Sequence, residues 1–338
     1  MSLDSEQPRL VIERRRQLLA LGAAALAAHA LPARAAKAWP NRPIRMIAGQ
    51  APGSSNDATA RALAEYIGQK LGVAVVVENK PGGLGMIAAE SVARSAPDGY
   101  TLLLSLHSQL AQAPAMLKKL PFDTDKELLP IASMGVGPVV AVVHKDFPAQ
   151  TLEQVIAYAK KKPVNVGNYS IGSGWQLMLA QLTKDTGGQF IVANYKGTGA
   201  MLKDLYAGTV DMGAGSLAGV GAGIDKGAFR PVVITTGNRP NRLAGVPRWV
   251  DAGFKGPAYE DLTECNMLFA PAGTPPEITR PLADLFTASV TESPRMKIVR
   301  DTLYEEGPIL TGDALRESIR RTWPSYRRLT GELNLVVD

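Results

Sequence analysis

Residues 44–77 read IRMIAGQAPGSSNDATARALAEYIGQKLGVAVVV: a short apolar segment, an amphipathic stretch and a second short apolar segment. The apolar segments at 44–48 and 73–77 predict strands, and apolar residues at helical spacing predict a helix over 57–71. Strands that alternate with helices are typical of βαβ units and a largely parallel sheet. This stretch therefore predicts an α/β fold.

The same alternation continues along the chain. Further strands are predicted at 100–104, 139–143, 165–168, 190–193, 231–235 and 267–270, and helices at 86–95, 152–160, 176–185, 200–207, 276–291 and 314–333. The last two helices are expected to return to the first part of the fold. About 300 residues are more than one hydrophobic core usually supports, so we expect two lobes with a cleft between them.

Residues 1–38 have the layout of an export signal. A charged start ending at Arg14–Arg16 precedes an apolar run, and Ala-x-Ala sites end at Ala35 and Ala38. The run is shorter than the roughly 20 residues that span a bilayer, so we expect cleavage near Ala35 or Ala38 and release into the periplasm. The doublet Arg15-Arg16 also fits a twin-arginine signal, and the general secretory route stays open.

Composition excludes several classes of protein. Cys265 is the only cysteine, so an internal disulfide framework and a lipid-anchored cysteine directly after the signal are both excluded. The whole chain carries a net charge of +6, but residues 1–38 contribute +3 of it. The remaining +3 is too weak for a nucleic-acid surface, and we expect no nucleic-acid partner.

Catalytic motifs are scarce. Beyond the signal the chain has two histidines, His107 and His144, without metal-ligand spacing, so we expect no metal and no cofactor. Two enzymatic alternatives stay open: a serine hydrolase using Ser105 with His107, and a dinucleotide enzyme using Gly83-Leu84-Gly85-Met86-Ile87-Ala88. The first lacks a nucleophile elbow, and the second lacks an acidic ribose partner about 20 residues later. We expect no enzyme and no catalytic residue.

Small and polar residues fill the loops that follow the predicted strands. In parallel sheets, ligands bind at the carboxyl ends of strands, and backbone N–H groups at helix starts attract anions. Ser and Asp before helices are also ordinary caps, which is the alternative for any single loop. The loops in question are 49–57, 105–109, 168–175, 195–199 and 213–219. Together they favour a site for carboxylate or phosphate oxygens.

Several motifs run along the chain in a characteristic order: WPNRPIR at 39–45, APGSSND at 51–57, VVVENKPG at 75–82, APDGYTL at 96–102, LPFD at 120–123, YKG at 195–197, GTVD at 208–211 and APAGTPP at 270–276. In these motifs the chain resembles the Bug receptors, the extracytoplasmic solute-binding components of tripartite tricarboxylate transporters. The resemblance covers essentially the whole mature chain.

The resemblance implies a two-lobed periplasmic binding protein of type II, a Venus flytrap in which each lobe is a mostly parallel sheet flanked by helices. It implies lobe 1 at 39–140, lobe 2 at 141–264 and a return to lobe 1 at 265–338. It also implies a small carboxylated solute, transient membrane transporter partners and a monomer. A solute sensor that feeds a signalling partner, and a pure interaction protein, stay open as alternatives.

Combining the loops with the resemblance gives a predicted ligand site. Its residues are Gln50, Pro52, Gly53, Ser54, Ser55, Asn56, Asp57, Ser105, His107, Ser108, Ser170, Gly172, Ser173, Gly174, Trp175, Gly215 and Ser216. We expect the serines and Asn56 near 54–56 to hold one carboxylate with help from Ser170 and Ser173. Ser105, His107 and Ser108 are expected to hold the far end of the ligand.

Departures from the family pattern bear on the ligand. Gln50 and Ser54 replace an aromatic residue and a glycine in the first loop, which gives the pocket polar reach. Gly215 stands where the family often has an acidic residue, which makes amino-acid ligands less favoured. Trp175 either stacks on a planar ligand or fills the core of its lobe. We expect a dicarboxylate, with an aromatic one as an option.

Overall fold

The computed structural model describes residues 39–237, 239–303 and 307–336. The predicted export signal at 1–38 lies outside the described residues. Within those ranges, no helix is both long and apolar enough to cross a membrane.

The described ranges contain strands and helices that alternate along most of the chain. The strands are β1 (Ile44–Ala48), β2 (Val75–Asn79), β3 (Thr101–Leu106), β4 (Leu128–Ser133), β5 (Val139–His144), β6 (Val164–Asn168), β7 (Phe190–Asn194), β8 (Met212–Ser216), β9 (Phe229–Thr236), β10 (Asn266–Pro271) and β11 (Leu310–Thr311). The helices are α1 (Ser55–Leu71), α2 (Met86–Ala93), α3 (His107–Met116), α4 (Leu152–Ala159), α5 (Gly174–Thr186), α6 (Thr198–Tyr206), α7 (Leu217–Asp225), α8 (Pro257–Glu260), α9 (Pro276–Glu292), α10 (Pro294–Leu303) and α11 (Gly312–Glu332).

Hydrogen bonding joins the strands into two sheets. The first sheet has the order β11-β4-β10-β3-β1-β2 and the second has the order β7-β6-β8-β5-β9. We call each sheet with the helices packed on it a lobe. The first lobe takes strands from both ends of the described chain, and the second takes β5–β9, so the chain crosses between lobes twice. The predicted two-lobed α/β fold is confirmed.

Most strands of each sheet run in one direction, as predicted, but both sheets are mixed. In the first sheet β1 pairs in parallel with β2 and β3, whereas β10 runs antiparallel to β3 and β4. In the second sheet β5 runs antiparallel to β8 and β9. The strands that follow the two crossovers, β5 and β10, therefore enter their sheets in the opposite direction to most of their neighbours.

Helix α1 shows how local sequence fixes an element beside the cleft. Ser54 is its N-cap, whose hydroxyl accepts the Asp57 N–H at 3.2 Å. Gly72 ends the helix with φ 67°, a left-handed conformation that glycine adopts without a Cβ penalty. The C-terminal boundary agrees with the predicted helix at 57–71, and the observed helix starts two residues before the predicted one.

Helix α3 was not predicted, and its residues were read as a loop. Seven of its first eight residues are buried, polar and apolar alike, so no apolar stripe marks this helix in the sequence. It packs against α11, which returns from the C-terminal part of the chain. Strand β3 ends at Leu106, and α3 starts at the next residue, His107.

Candidate functional site

A small cavity of about 40 Å³ lies where the strand ends of the two sheets meet. Its lining residues are Gln50, Ser55, Leu106, Gly137, Val139, Tyr169, Thr198, Ser216, Glu264, Cys265 and Asn266. Parallel strands contribute their carboxyl ends, and the reversed strands β5 and β10 contribute their starts. The site therefore lies at the edge where open sheets bind ligands.

The cavity adjoins a larger space. Ser55, Thr198 and Ser216 also line a second cavity of about 320 Å³, which Gly53 and Ser54 border. The first cavity alone has room for only about three water molecules, at 10–15 Å³ each. A small organic solute therefore requires both spaces, or a modest separation of the lobes.

Three helix starts converge on these cavities. Ser55 and Thr198 are the first residues of α1 and α6, and Ser216 directly precedes α7. No side chain caps α6 or α7, although the Leu217 N–H at the start of α7 already donates to Pro138 O at 3.1 Å. Uncapped N–H groups carry the positive end of the helix dipole, so the convergence suits a carboxylate or phosphate oxygen.

Gln50 adds a side-chain donor to the same cavity. It is 5% exposed, and its Nε2 is buried without a hydrogen-bond partner in the described structure. Buried polar groups are rarely left unpaired, because burial removes the water that would otherwise bind them. The amide is therefore available to a ligand oxygen.

Asp57 was predicted in the site but supports it from behind. Its carboxylate accepts hydrogen bonds from the Gly53 N–H at 3.0 Å, Arg61 at 3.1 Å and Asn79 at 2.9 Å. Burial raises the pKa of Asp57, but these donors outweigh burial and hold the pKa below its usual value. Asp57 is therefore fully occupied in holding the loop that carries Gln50, while Pro52 in that loop is exposed.

Asn56 and Ser105 are buried beside the first sheet and do not line the 40 Å³ cavity. The Asn56 Nδ2 donates to Leu104 O at 3.2 Å and to Asn266 Oδ1 at 2.7 Å, which ties α1 to β3 and β10. The Ser105 hydroxyl is buried without a partner. Both residues occupy the wall behind the site.

His107 corrects the prediction of a loop histidine at the cleft. Its ring is 2% exposed, and Nε2 lies 2.9 Å from Thr263 O. A carbonyl only accepts, so Nε2 carries the proton and cannot take one from Ser105. Burial lowers the pKa of His107 to about 4, and the bond to Thr263 offsets only part of this effect. The Ser105–His107 pair of the hydrolase alternative is not formed, because the Ser105 hydroxyl has no partner among the described residues.

The loop at 170–174 packs against α3 and does not line the 40 Å³ cavity. Gln109 Nε2 donates to Ser170 Oγ at 2.8 Å, and Gln112 Nε2 donates to Gly172 O at 2.5 Å. Ser173 caps α5 by accepting the Gln176 N–H at 3.2 Å. Ser170 and Gly172 therefore connect the two lobes, while Ser173 caps a helix of its own lobe.

Trp175 takes the inward of its two predicted orientations. Its side chain is 1% exposed, and the indole N–H donates to Gly167 O at 3.3 Å within the second lobe. A ring in this position fills the core and cannot stack on a ligand. The aromatic option for the ligand loses its support.

Gly215 has no space for the acidic side chain that the family often has there. A Cβ at Gly215 would lie 2.9 Å from Thr198 Cγ2 and 3.4 Å from Val220 Cγ1. The Thr198 methyl group therefore occupies the volume that a side chain at 215 would need. Thr198 lines both cavities, and the sequence prediction missed it.

Glu264 is the other residue that the sequence prediction missed. Its carboxylate is buried and accepts the Gly174 N–H at 2.5 Å and the Ser108 hydroxyl at 3.1 Å. Burial raises the pKa of Glu264 to about 7, although the Gly174 and Ser108 bonds lower it in part. Ser108 therefore reaches the site through Glu264. No local pattern marked this glutamate, since it precedes β10 in an irregular crossover.

No group of His, Cys, Asp and Glu side chains in the described ranges could hold a metal ion. The cavity offers donors from helix starts and Gln50, and one acceptor group in Glu264. This arrangement is suited to a small polar solute.

Comparisons with known proteins agree with this geometry. The model of the tripartite tricarboxylate transporter family receptors matches residues 59–307. A UPF0065 protein of Bordetella pertussis is 32% identical over 319 residues, which cover 88% of this chain and 95% of that protein.

Three solved structures are also similar. The R. palustris protein Rpa4515 with adipate has a TM-score of 0.80 at 25% identity, over 88% of this chain and 98% of that one. Periplasmic binding protein BugD has a TM-score of 0.79 at 27% identity, over 88% and 99%. MatC from Rhodopseudomonas palustris with bound malate has a TM-score of 0.69 at 26% identity, over 87% and 97%.

Proposed function

This chain belongs to the family of tripartite tricarboxylate transporter receptors, which are periplasmic solute-binding proteins, and we propose that it captures a small dicarboxylate between its lobes. The observation that carries the proposal is the convergence of α1, α6 and α7 on a cavity with an unpaired buried amide at Gln50. Adipate and malate in the similar structures support a ligand of this class.

We assign direct ligand contact to the predicted residues that line the two cavities, Gln50, Gly53, Ser54, Ser55 and Ser216, and add Thr198 and Glu264. The other predicted site residues position these: Pro52, Asn56, Asp57, Ser105, His107, Ser108, Ser170, Gly172, Ser173, Gly174, Trp175 and Gly215. The lobe boundaries at 39–140, 141–264 and 265–338 belong to the same proposal, and strand membership of the two sheets supports them.

Ligand binding favours the closed arrangement of the lobes. A solute that contacts residues of both lobes binds the closed state more tightly, and it shifts the population by that difference in affinity. The closed, loaded protein is then the form that transporter subunits in the membrane recognise. We place this monomeric receptor in the periplasm after cleavage of its export signal near Ala35 or Ala38.

A thermal-shift screen tests the proposal. The probes are succinate, malate, adipate, citrate and terephthalate, with glucose and putrescine as uncharged and cationic controls. A ligand at 100 times its dissociation constant stabilises the protein by about 2.7 kcal/mol. We expect at least one dicarboxylate to raise the melting temperature of the wild type.

The test variant for the screen is Gln50→Leu, which keeps the side-chain size and removes the unpaired donor. We expect the shift to shrink in this variant. A shift with glucose or putrescine alone, or with none of the probes, would contradict a carboxylate receptor.

A further inference from the structure

We propose that Glu264 determines ligand specificity by accepting a hydrogen bond from a donor group on the ligand, so that the receptor selects carboxylates bearing a hydroxyl or ammonium group. This inference rests on the proposed function and names the substrate class of the same site. The sequence alone pointed the other way, because Gly215 removes the acidic residue expected from that position.

Glu264 places a hydrogen-bond acceptor in the ligand cavity from a different part of the chain than position 215. Glu264 lines the same 40 Å³ cavity as Gln50 and Ser55. It precedes β10 on the return crossover, whereas Gly215 belongs to β8 in the second lobe. The cavity therefore contains both donors, from Gln50 and the helix starts, and one anionic acceptor.

The hydrogen bonds of Glu264 leave acceptor capacity unused. Oε1 accepts the Gly174 N–H, Oε2 accepts the Ser108 hydroxyl, and the nearby Tyr169 hydroxyl is a third donor that lowers the pKa of Glu264. An ionised carboxylate has about four acceptor sites. Among the described residues, no lysine or arginine forms an ion pair with Glu264, so a donor on the ligand is the group that would complete its coordination.

The other ionisable groups packed near Glu264 supply no positive charge. They are Tyr169 and Tyr326, whose pKa values are raised first by burial and then by the nearby charge of Glu264, and the adjacent Cys265. His107 lies on α3 next to Ser108 and is neutral near pH 7, because burial lowers its pKa to about 4. A ligand group facing Glu264 thus meets an anion or a neutral acid.

Two ionised carboxylates cannot share this cavity without a large electrostatic cost. A second carboxylate placed against Glu264 would force one of the two to take up a proton, because like charges in a buried site disfavour joint ionisation. A hydroxyl or ammonium group at the same place instead gains a hydrogen bond to a charged acceptor, the stronger kind. The cavity thus discriminates by what the ligand carries beside its carboxylate.

Two matched series of ligands test this inference by calorimetry on the full mature protein. The first is succinate, malate and aspartate, and the second is adipate, 2-hydroxyadipate and 2-aminoadipate. Members of a series differ at one carbon, by hydrogen, hydroxyl or ammonium. In the series that binds, we expect the wild type to favour a donor-bearing member over the plain diacid by about tenfold or more.

The variant Glu264→Gln should abolish that preference. Glutamine can still accept from Gly174 and donate to Ser108, so packing is kept while the anionic acceptor is lost. A general structural defect would weaken the binding of all ligands in a series to the same extent. A loss of specificity would instead narrow the ratio between their dissociation constants. The matched control Glu260→Gln changes an exposed glutamate of α8 that lines neither cavity, and it should keep the wild-type ranking.

The outcomes separate this inference from the proposed function. If the plain diacid binds as tightly as its donor-bearing partners, or if Glu264→Gln leaves the ratio unchanged, the role of Glu264 is overturned while the receptor function stands. If no member of either series binds, the role of Glu264 is overturned, and the thermal-shift screen with its wider set of acids decides the receptor function separately. Should Glu264→Gln fail to fold, the wild-type ranking alone decides.

Discussion

Gly174 donates its backbone N–H to the Glu264 carboxylate over 2.5 Å. Gly174 is the first residue of α5 in the second lobe, and Glu264 lies just before β10, a strand of the first lobe. The other oxygen of Glu264 accepts from Ser108 at the start of α3. One buried carboxylate thus links helices of both lobes and lines the cavity between them. Its ionisation state bears on stability as well as on ligand choice.

Opposing titrations of Glu264 and His107 give the first prediction. Burial raises the folded pKa of Glu264 to about 7, so the free energy of unfolding falls as pH rises from about 4.5 to 7. Burial lowers the folded pKa of His107 to about 4, so the free energy of unfolding rises from about pH 4 to 6.5. Each contributes up to about 1.4 kcal/mol per pH unit, and the two largely cancel.

Single substitutions should separate these contributions in urea melts between pH 4.5 and 6.5. Glu264→Gln should become more stable as pH rises, and His107→Gln should become less stable over the same range. Parallel pH profiles for both variants and the wild type would show that neither group titrates as described.

The close approach of the Thr198 methyl group to Gly215 gives the second prediction. Gly215→Ala should cost about 1–3 kcal/mol of unfolding free energy, because its methyl group meets Thr198 Cγ2 at 2.9 Å. Thr198→Ser removes that methyl and should recover most of the loss in the double variant. Chemical denaturation of all four proteins measures the coupling, and strictly additive effects would contradict the packing argument.

Trp175 gives the third prediction. Because the ring fills the core, Trp175→Ala should destabilise the protein by about 3–5 kcal/mol. Trp175→Phe retains much of the ring and should keep the affinity for the dicarboxylates that bind the wild type. A stable Trp175→Phe protein with abolished binding would return the indole to the ligand site.

Gln50 gives the fourth prediction. Its amide nitrogen is buried without a partner, so Gln50→Leu should leave the unfolding free energy unchanged or raise it by up to about 1–3 kcal/mol, and weaken carboxylate binding by about tenfold. Gln109→Leu is the matched control, because its amide donates to Ser170 and Ile171. That control should lose about 1–3 kcal/mol of stability, and equal stability losses in both variants would count against a free donor at Gln50.

The sequence predicted the elements that have a clear period and capped ends. Helix α1 carries its cap at Ser54 and its stop at Gly72, and its alternation with β1 and β2 indicated the α/β class. Helix α3 was missed because burial on several sides leaves no stripe, and β5 and β10 are reversed by chain crossovers that local pattern does not encode.

The sequence predicted where the site lies better than it predicted which side chains contact each other there. Loop chemistry located Gln50, Ser55 and Ser216, which do line the cavity. Long-range packing decided the rest: His107 turns to Thr263, Trp175 turns into its core, and Glu264 enters from a crossover segment more than 150 residues from Ser108. Such distant partners leave no mark in local spacing.

A crystal structure of the protein grown with adipate, or with malate if malate binds more tightly in the screen, tests the central claim most directly. We predict a ligand carboxylate oxygen within about 3.2 Å of Gln50 Nε2, facing the starts of α1, α6 and α7. A ligand bound outside the cleft, or one whose carboxylates contact neither Gln50 nor these helix starts, would contradict the account.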